Sequence, residues 1–346
     1  MRSRLHLQIP QVFILVMLVV LLAGAFHAGI PLGGIMGDAL VRLVMNGVLV
    51  MSMIPMLNAG LGVNFGLPVG ICAGLLGMCL AVNFRLTGLA GLFGAMLISI
   101  PIGAVLGYLY GRLLNRVKGR EEIAGTFVGF SFISIMNFFW AVAPFTNPTM
   151  LWPIGGQGLR PVIGLQGYFA KVLNHSWSFR LGDLTVPFGM LVFFACLAVL
   201  LHLFFHTRAG TAMVATGENE VFAGLSGVDV KAIRTLAVIL STVLAAWGIC
   251  VYAQSYGFLE LYSAPLMMAF PAASAIFLGG SLGHRTAVIQ AVIGTFLFQT
   301  TYVISGPIAN ALLVPEVAEI FRMILTNGVI LYAMLYEGGR RRRVQG

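Results

Sequence analysis

Residues 207–235 read TRAGTAMVATGENEVFAGLSGVDVKAIRT. The stretch carries three acids (Glu218, Glu220, Asp229) and three bases (Arg208, Lys231, Arg234), and it contains no proline. An apolar run precedes it, Phe188 to Phe205, and another follows, Leu236 to Tyr256. Each is about the length needed to cross a bilayer. A polar, helix-compatible segment between two such runs must face water. It reads as a docking loop, where a soluble partner pushes on a membrane protein.

The rest of the chain sets the frame. Of its 346 residues, 59% are hydrophobic and 9% charged, with a mean hydropathy of +0.96. A soluble domain carries about 25% charged residues, so this composition implies a polytopic membrane protein. Continuous apolar runs, rather than short alternating ones, favour an all-α fold over a membrane barrel. The 43 glycines suit helices that approach closely in lipid. Cys72, Cys79, Cys196 and Cys250 all lie within apolar runs, as small core residues would.

Taken in order, the apolar runs are Gln11 to Ala28, Ala39 to Leu57, Leu67 to Val82, Leu89 to Leu114, Ile123 to Ala143, Phe188 to Phe205, Leu236 to Tyr256, Leu266 to Leu278, Ala287 to Ile304 and Ile320 to Tyr336. They predict about ten transmembrane helices in one membrane domain, 1–346, with the first helix retained rather than cleaved as a leader. The segment NAGLGVNFG after Leu57 is rich in glycine and carries Asn58 and Asn64. It predicts an interrupted helix near the midplane, a feature tolerated in lipid only where it is buried or lines a cavity. Residues 144–187 form the longest loop, with a short amphipathic helix expected near Gly167 to Leu173. SGPIANALLVPE, from Ser305, reads as another loop.

Lysines and arginines orient the chain. An even number of spans puts both ends on one side. That side holds Arg2, Arg4, Arg112, Arg116, Lys118, Arg120, Arg208, Lys231, Arg234, Arg285 and Arg340 to Arg343; the other holds Arg42, Arg85, Arg160, Lys171, Arg180 and Arg322. The positive-inside rule then places both termini and the docking loop in the cytoplasm and 144–187 outside. The arginine tail is read as a topology anchor beside lipid, not as a nucleic-acid patch.

Several chemistries lack their residues. There is no Walker A or HExxH pattern, so no catalytic site, bound ATP or metal is expected on this chain. His202 and His206 are four apart but have no nearby acid or cysteine in sequence, and they read as a helix end at the interface. The apolar runs hold almost no ionisable residue, which argues against ion-coupled transport. Energy then has to come from a partner, or the chain is a passive pore.

One resemblance gives the docking loop a role. ATGENEVFAGLSGVDVKAI (215–233) resembles the cytoplasmic coupling segment of ATP-binding-cassette (ABC) importer permeases of the ribose/simple-sugar, branched-chain amino acid-like family. The matching positions are Gly217, Asn219, Ala223, Ser226, Gly227 and Lys231. LSTVLAAWGI (Leu240 to Ile249) is similar to that family's next helix. AIFLGGSLGHRTAVIQAVIGTFL, with Gly279, Gly280 and Gly283, is similar to its later Gly-Gly segment. Where the family often has G-I-D-L-S-V-G, this chain has GVNFGLPVG (Gly62 to Gly70), without the acid and the hydroxyl.

The resemblance implies an ABC importer permease in a bacterial inner membrane. Its partners would be a second permease, identical or similar, a sugar-type ATPase that holds ATP and Mg, and an extracytoplasmic solute-binding protein. Coupling would use Gly217, Glu218, Asn219, Glu220, Ala223, Gly224, Ser226, Gly227 and Lys231, with the acids and amide capping a short helix. Pathway candidates are Asn58, Asn64, Phe65, Asn137, Trp140, Gln254, Tyr256, Gln299 and Tyr302, because amides and aromatic faces suit a neutral sugar. Amides also join helices and aromatics also mark the interface. A nucleoside, autoinducer or branched-chain amino acid is the alternative cargo, and a stand-alone carrier or channel the alternative class. Neighbouring ATPase and binding-protein genes would separate the two classes.

Overall fold

The computed structural model describes residues 9–152, 158–280 and 286–312, with scattered helical positions between 320 and 331. The basic ends (Arg2, Arg4, Arg340 to Arg343), Gly283, Arg285, Arg322 and most of the last apolar run lie outside the described residues.

Helices dominate. They are α1 (Ile9–His27), α2 (Leu32–Met51), α3 (Ile54–Asn58), α4 (Leu67–Asn83), α5 (Gly88–Leu114), α6 (Glu121–Val142), α7 (Val172–His175), α8 (Phe188–Phe204), α9 (Arg208–Glu218), α10 (Glu220–Leu225), α11 (Val230–Tyr256), α12 (Ala264–Met267), α13 (Ala269–Leu278) and α14 (Val288–Leu312). Four three-residue strands join them: β1 (Val162–Gly164), β2 (Phe179–Leu181), β3 (Leu184–Val186) and β4 (Phe258–Glu260).

Five stretches are long and apolar enough to cross a membrane: 32–58, α5, α6, α11 and 288–311. The pair α8–α9, bent by 72°, would make a sixth, and 14–27, α4 and 264–278 are shorter apolar helices. Together these make a multi-pass membrane protein. Large apolar side chains stay exposed on α5 (Leu97, Val105, Leu109) and α6 (Phe127, Ile135, Phe138), where lipid rather than water would meet them.

The centre is built by glycine. On α5, Gly103, Gly107 and Gly111 recur every four residues, and a Cβ at any of them would press on α11 at Val243, Ile239 and Thr235. On α4, a Cβ at Gly70 would lie 2.6 Å from Ala245, and one at Gly74 would collide with Ile249. Small residues at this spacing let helix backbones approach, the main source of packing energy in lipid. Gly279 and Gly294 do the same where α13 crosses α14: a Cβ on either would strike the other helix's backbone.

Five expectations change. The docking segment holds two helices, α9 and α10, where one short helix was expected, and α11 begins at Val230 rather than Leu236. SGPIANALLVPE begins inside α14, which runs through Pro307 to Leu312; membrane helices tolerate proline when neighbours satisfy the freed carbonyl. The short helix expected at Gly167 to Leu173 forms at Val172–His175. The all-α reading gains two antiparallel pairs, β1 with β4 and β2 with β3. Finally, the interruption after α3 sits at the α9 end of the bundle, with Gly60 packed on Gly217 and the Val63 N–H donating to Glu122.

Candidate functional site

At the α9–α10 end, local sequence sets each turn. Thr207 caps α9 by accepting from the Gly210 N–H (3.3 Å). Asn219 caps α10 by accepting from the Phe222 N–H (2.9 Å), and Asp229 caps α11 by accepting from the Ala232 N–H (3.0 Å). Short oxygen-bearing side chains before a helix satisfy donors that the helix cannot. Gly227 turns the chain between α10 and α11 at φ +83°, a backbone region open to glycine.

Charge then ties α10 and α11 to α6. Arg234 of α11, 5% exposed, pairs through Nη2 with Glu121 and through Nη1 with Glu220 at 3.9 Å. Its Nε donates to Asn115 (3.1 Å), and Asn115 donates in turn to the Lys231 carbonyl and the Thr235 hydroxyl. Lys118 reaches Glu220 from the other side at 2.6 Å, across an exposed surface. Glu122, next to Glu121, accepts from the Val63 N–H (3.1 Å).

The network reaches the interrupted segment. Asn64 donates to Ser241 (2.8 Å) and accepts from Tyr110 (3.2 Å). Asn58 bonds both ways to Thr286, donating to its carbonyl (3.2 Å) and accepting from its N–H (2.6 Å). Glu220 and Arg234 thus join α10 to α6, whose Glu122 holds the break, and Asn58 joins the break to the residues before α14.

The nine coupling positions divide. Gly217 is buried against the Asn58 carbonyl, and Ala223 is 1% exposed inside the fold. Glu218, Asn219, Gly224, Ser226, Gly227 and Lys231 are exposed; Glu220 is partly covered by its ion pairs. The sequence reading missed the apolar surface beside them: Val221 (73% exposed), Phe222 (65%) and Leu225 (85%). Their i, i+1, i+4 spacing on a capped helix was the available signal. It also missed Asn115, Glu121 and Arg234 as one unit.

The pathway candidates do not line one channel. Asn58 and Asn64 belong to the network just described. Phe65 packs on Phe270, with ring centroids 5.5 Å apart. Trp140 is fully buried; its indole nitrogen and the Asn137 side-chain oxygen have no hydrogen-bond partner among the described residues. Gln299 is buried in α14.

Gln254 lies at the opposite end of α11. Its amide donates to Asn174 (3.0 Å) and to Ser255 (2.8 Å), which holds α7 against the helix end. Tyr256 stacks on Tyr252 at 4.9 Å, and Tyr302 lies under the Arg42 guanidinium at 5.0 Å. Arg42, Ser255 and Tyr256 share a cavity of about 870 Å³ with the β2–β3 hairpin. The two ends thus carry different chemistry. His202 and His206 lie with ring centroids 4.7 Å apart, and no group of three His, Cys, Asp or Glu side chains suited to a metal occurs among the described residues.

Comparison with known proteins fits this arrangement. The chain is similar to autoinducer 2 import system permease protein LsrC of Shigella flexneri, 27% identical over 305 residues, covering 87% of this chain and 77% of that protein. LsrC of Escherichia coli K12/DH10B matches to the same extent. LsrC of Enterobacter sp. strain 638 is 28% identical over 243 residues, 70% of this chain and 62% of that protein. Residues 35–335 match the family described as branched-chain amino acid transport system / permease component. A polytopic helical bundle with a capped, charge-tied polar segment between two membrane helices therefore belongs, by that match over most of its length, to the branched-chain amino acid transport system permease component family.

Proposed function

We infer that this chain is one of two permease subunits, identical or similar, that together form the path of an ABC importer in a bacterial inner membrane. About ten spans cross the bilayer, counting the shorter apolar helices and the last run, and both termini face the cytoplasm. The basic residues support that orientation. Arg112, Arg116, Lys118 and Arg120 follow α5, whereas Arg85 precedes it. Lys231 and Arg234 open α11, whereas the Lys171 N–H bonds the Gln254 carbonyl at its close. Residues 144–187 then face the solute-binding protein.

The observation that carries the reading is the exposed triad Val221, Phe222 and Leu225 on a helix locked from behind by Glu220 and Asn219. Three large apolar side chains in water are costly unless a partner covers them. A sugar-type ATPase, which would hold the ATP and Mg, covers them here. Closure of two ATPases would drive two such helices together, and the network through Arg234 would pass that motion to α6 and the break after α3. The permease itself performs no catalysis.

The cargo is a small polar solute. A simple sugar fits the amide and tyrosine groups, and autoinducer 2 is the second reading, favoured by the names of the relatives. The test is to reconstitute the chain with the ATPase and solute-binding protein encoded beside it and to identify the binding protein's ligand by mass spectrometry. Accumulation of that ligand that needs both ATP and the binding protein is expected. Accumulation without ATP would instead assign a stand-alone carrier.

A further inference from the structure

Arg42 was counted among the charges of the outer side, but the helix that carries it places it deeper. It stands ten residues into α2, about 15 Å along the axis at 1.5 Å per residue, and the continuous apolar stretch extends on to Asn58. A cation that far into an apolar helix is normally neutralised by a partner or faces a water-filled cavity. Among the described residues, Arg42 makes no ion pair and its guanidinium makes no hydrogen bond. Its recorded partner is the face of Tyr302, 5.0 Å away. A guanidinium fork with no hydrogen-bond partner among the described residues therefore borders the cavity.

The cavity, about 870 Å³, lies between α2, α7, the β2–β3 hairpin and the end of α11. The hairpin is seated closely: a Cβ at Gly33 would lie 2.9 Å from Asp183, and one at Gly37 3.0 Å from the Thr185 carbonyl. Glycine at both positions lets the hairpin lie on α2 beside the cavity. The lining mixes donors and acceptors. Asp38 and Asp183 accept, Lys171 and Arg180 donate, and Ser255 and Asn174 do both. Tyr256 adds an aromatic face, held in place by its stack on Tyr252.

We propose that this cavity is a binding site for a neutral, hydroxyl-rich solute of monosaccharide size, with the Arg42 fork donating to adjacent hydroxyls and Tyr256 packing on the ring. This deepens the importer reading and rests on it. Hydroxyls both donate and accept, so they are served by a lining that alternates the two. A site for phosphate or carboxylate would present donors alone, and here two carboxylates stand in the way. The cavity opens at the end of the bundle opposite α10, where a solute handed over from outside would first meet the chain.

The test uses the full chain in lipid nanodiscs, with D-ribose and D-ribose 5-phosphate as probes read by saturation-transfer NMR. We expect saturation of D-ribose by the unmodified chain, cut at least fivefold in Arg42→Met and in Tyr256→Ala. Arg42→Lys, which keeps the charge without the fork, should fall between, and Arg85→Gln, outside the cavity, should match the unmodified chain. Undiminished D-ribose signal in Arg42→Met, no D-ribose signal from the unmodified chain, or stronger saturation of D-ribose 5-phosphate would each overturn the proposal. Uptake by the assembled transporter separates this from the functional reading. ATP-driven uptake with the same KM in Arg42→Met would remove the site and leave the importer. Sugar binding that depends on Arg42, in a chain that supports no ATP-driven uptake, would keep the site and remove the importer.

Discussion

The two ends of α11 treat charge in opposite ways. At its start Arg234 is buried and fully engaged, by Glu121, Glu220 and Asn115. At its close the helix meets a cavity that holds Arg42, which has an aromatic face and no ion pair among the described residues. A buried cation with partners locks elements together, and a partly exposed one beside a cavity, without an ion pair, is left available to something that arrives. The same residue type thus serves as a rivet at one end and as an open hand at the other.

The rivet predicts the largest effect. Arg234→Met would leave Glu121, whose side chain is 10% exposed, buried without its partner. Breaking a buried pair in this way costs about 3–5 kcal/mol. Thermal unfolding of the purified chain should show a clear fall in Tm. Adding Glu121→Gln should recover much of it, because the stranded charge is gone. An unchanged Tm in Arg234→Met would mean that the two ends do not differ.

A middle-sized effect belongs to the amides behind the docking helix. Asn58→Ala removes both buried bonds to Thr286, at about 1–3 kcal/mol before relaxation. Asn64→Leu strands the Ser241 and Tyr110 hydroxyls, a loss of about 1–3 kcal/mol. If the interrupted segment carries motion from α10, both variants should lower ATP-driven uptake further than they lower Tm. Loss in strict proportion to Tm would reduce these residues to helix glue.

Gly224→Trp should leave stability within about 0.5 kcal/mol, as exposed substitutions usually do. A Cβ at Gly224 has Val230 4.0 Å away as its nearest neighbour, so the indole projects outward among Val221, Phe222 and Leu225. Co-purification of the ATPase should then be lost while the chain still inserts. Gly227→Trp is the poorer probe, since its φ of +83° would add backbone strain to any effect on docking.

Much of the fold was written in local pattern. Apolar run length located the membrane helices, and Leu67, Leu89 and Phe188 fell at or next to the observed starts of α4, α5 and α8. What escaped depends on distant partners. β1 pairs with β4 across 96 positions, Val162 to Glu260 at one end and Gly164 to Phe258 at the other, and three-residue strands carry no periodicity of their own. The candidate site was legible as a segment but not as a surface. Gly217 and Ala223 were singled out with the docking positions, yet helix geometry turns both inward, and the apolar side chains beside them face out. A charge count along the chain assigns Arg42 a side but not a depth; its place ten residues into α2, beside a cavity, needed the fold.

That position supplies the smallest and sharpest prediction. Removing a paired cation destabilises, whereas removing an unpaired one at membrane depth takes away a desolvation cost and loses little besides one cation–π contact of about 0.5–2 kcal/mol. Arg42→Met keeps most of the side-chain length without the charge. Its Tm should equal or slightly exceed that of the unmodified chain, opposite in sign to Arg234→Met under the same conditions. Agreement in sign between the two would show that Arg42 is held as firmly as Arg234, and the contrast between the ends of α11 would vanish. With opposite signs, Arg42 is kept at a net cost to the fold, and such a cost persists where the side chain is needed for something that the folded chain alone does not contain.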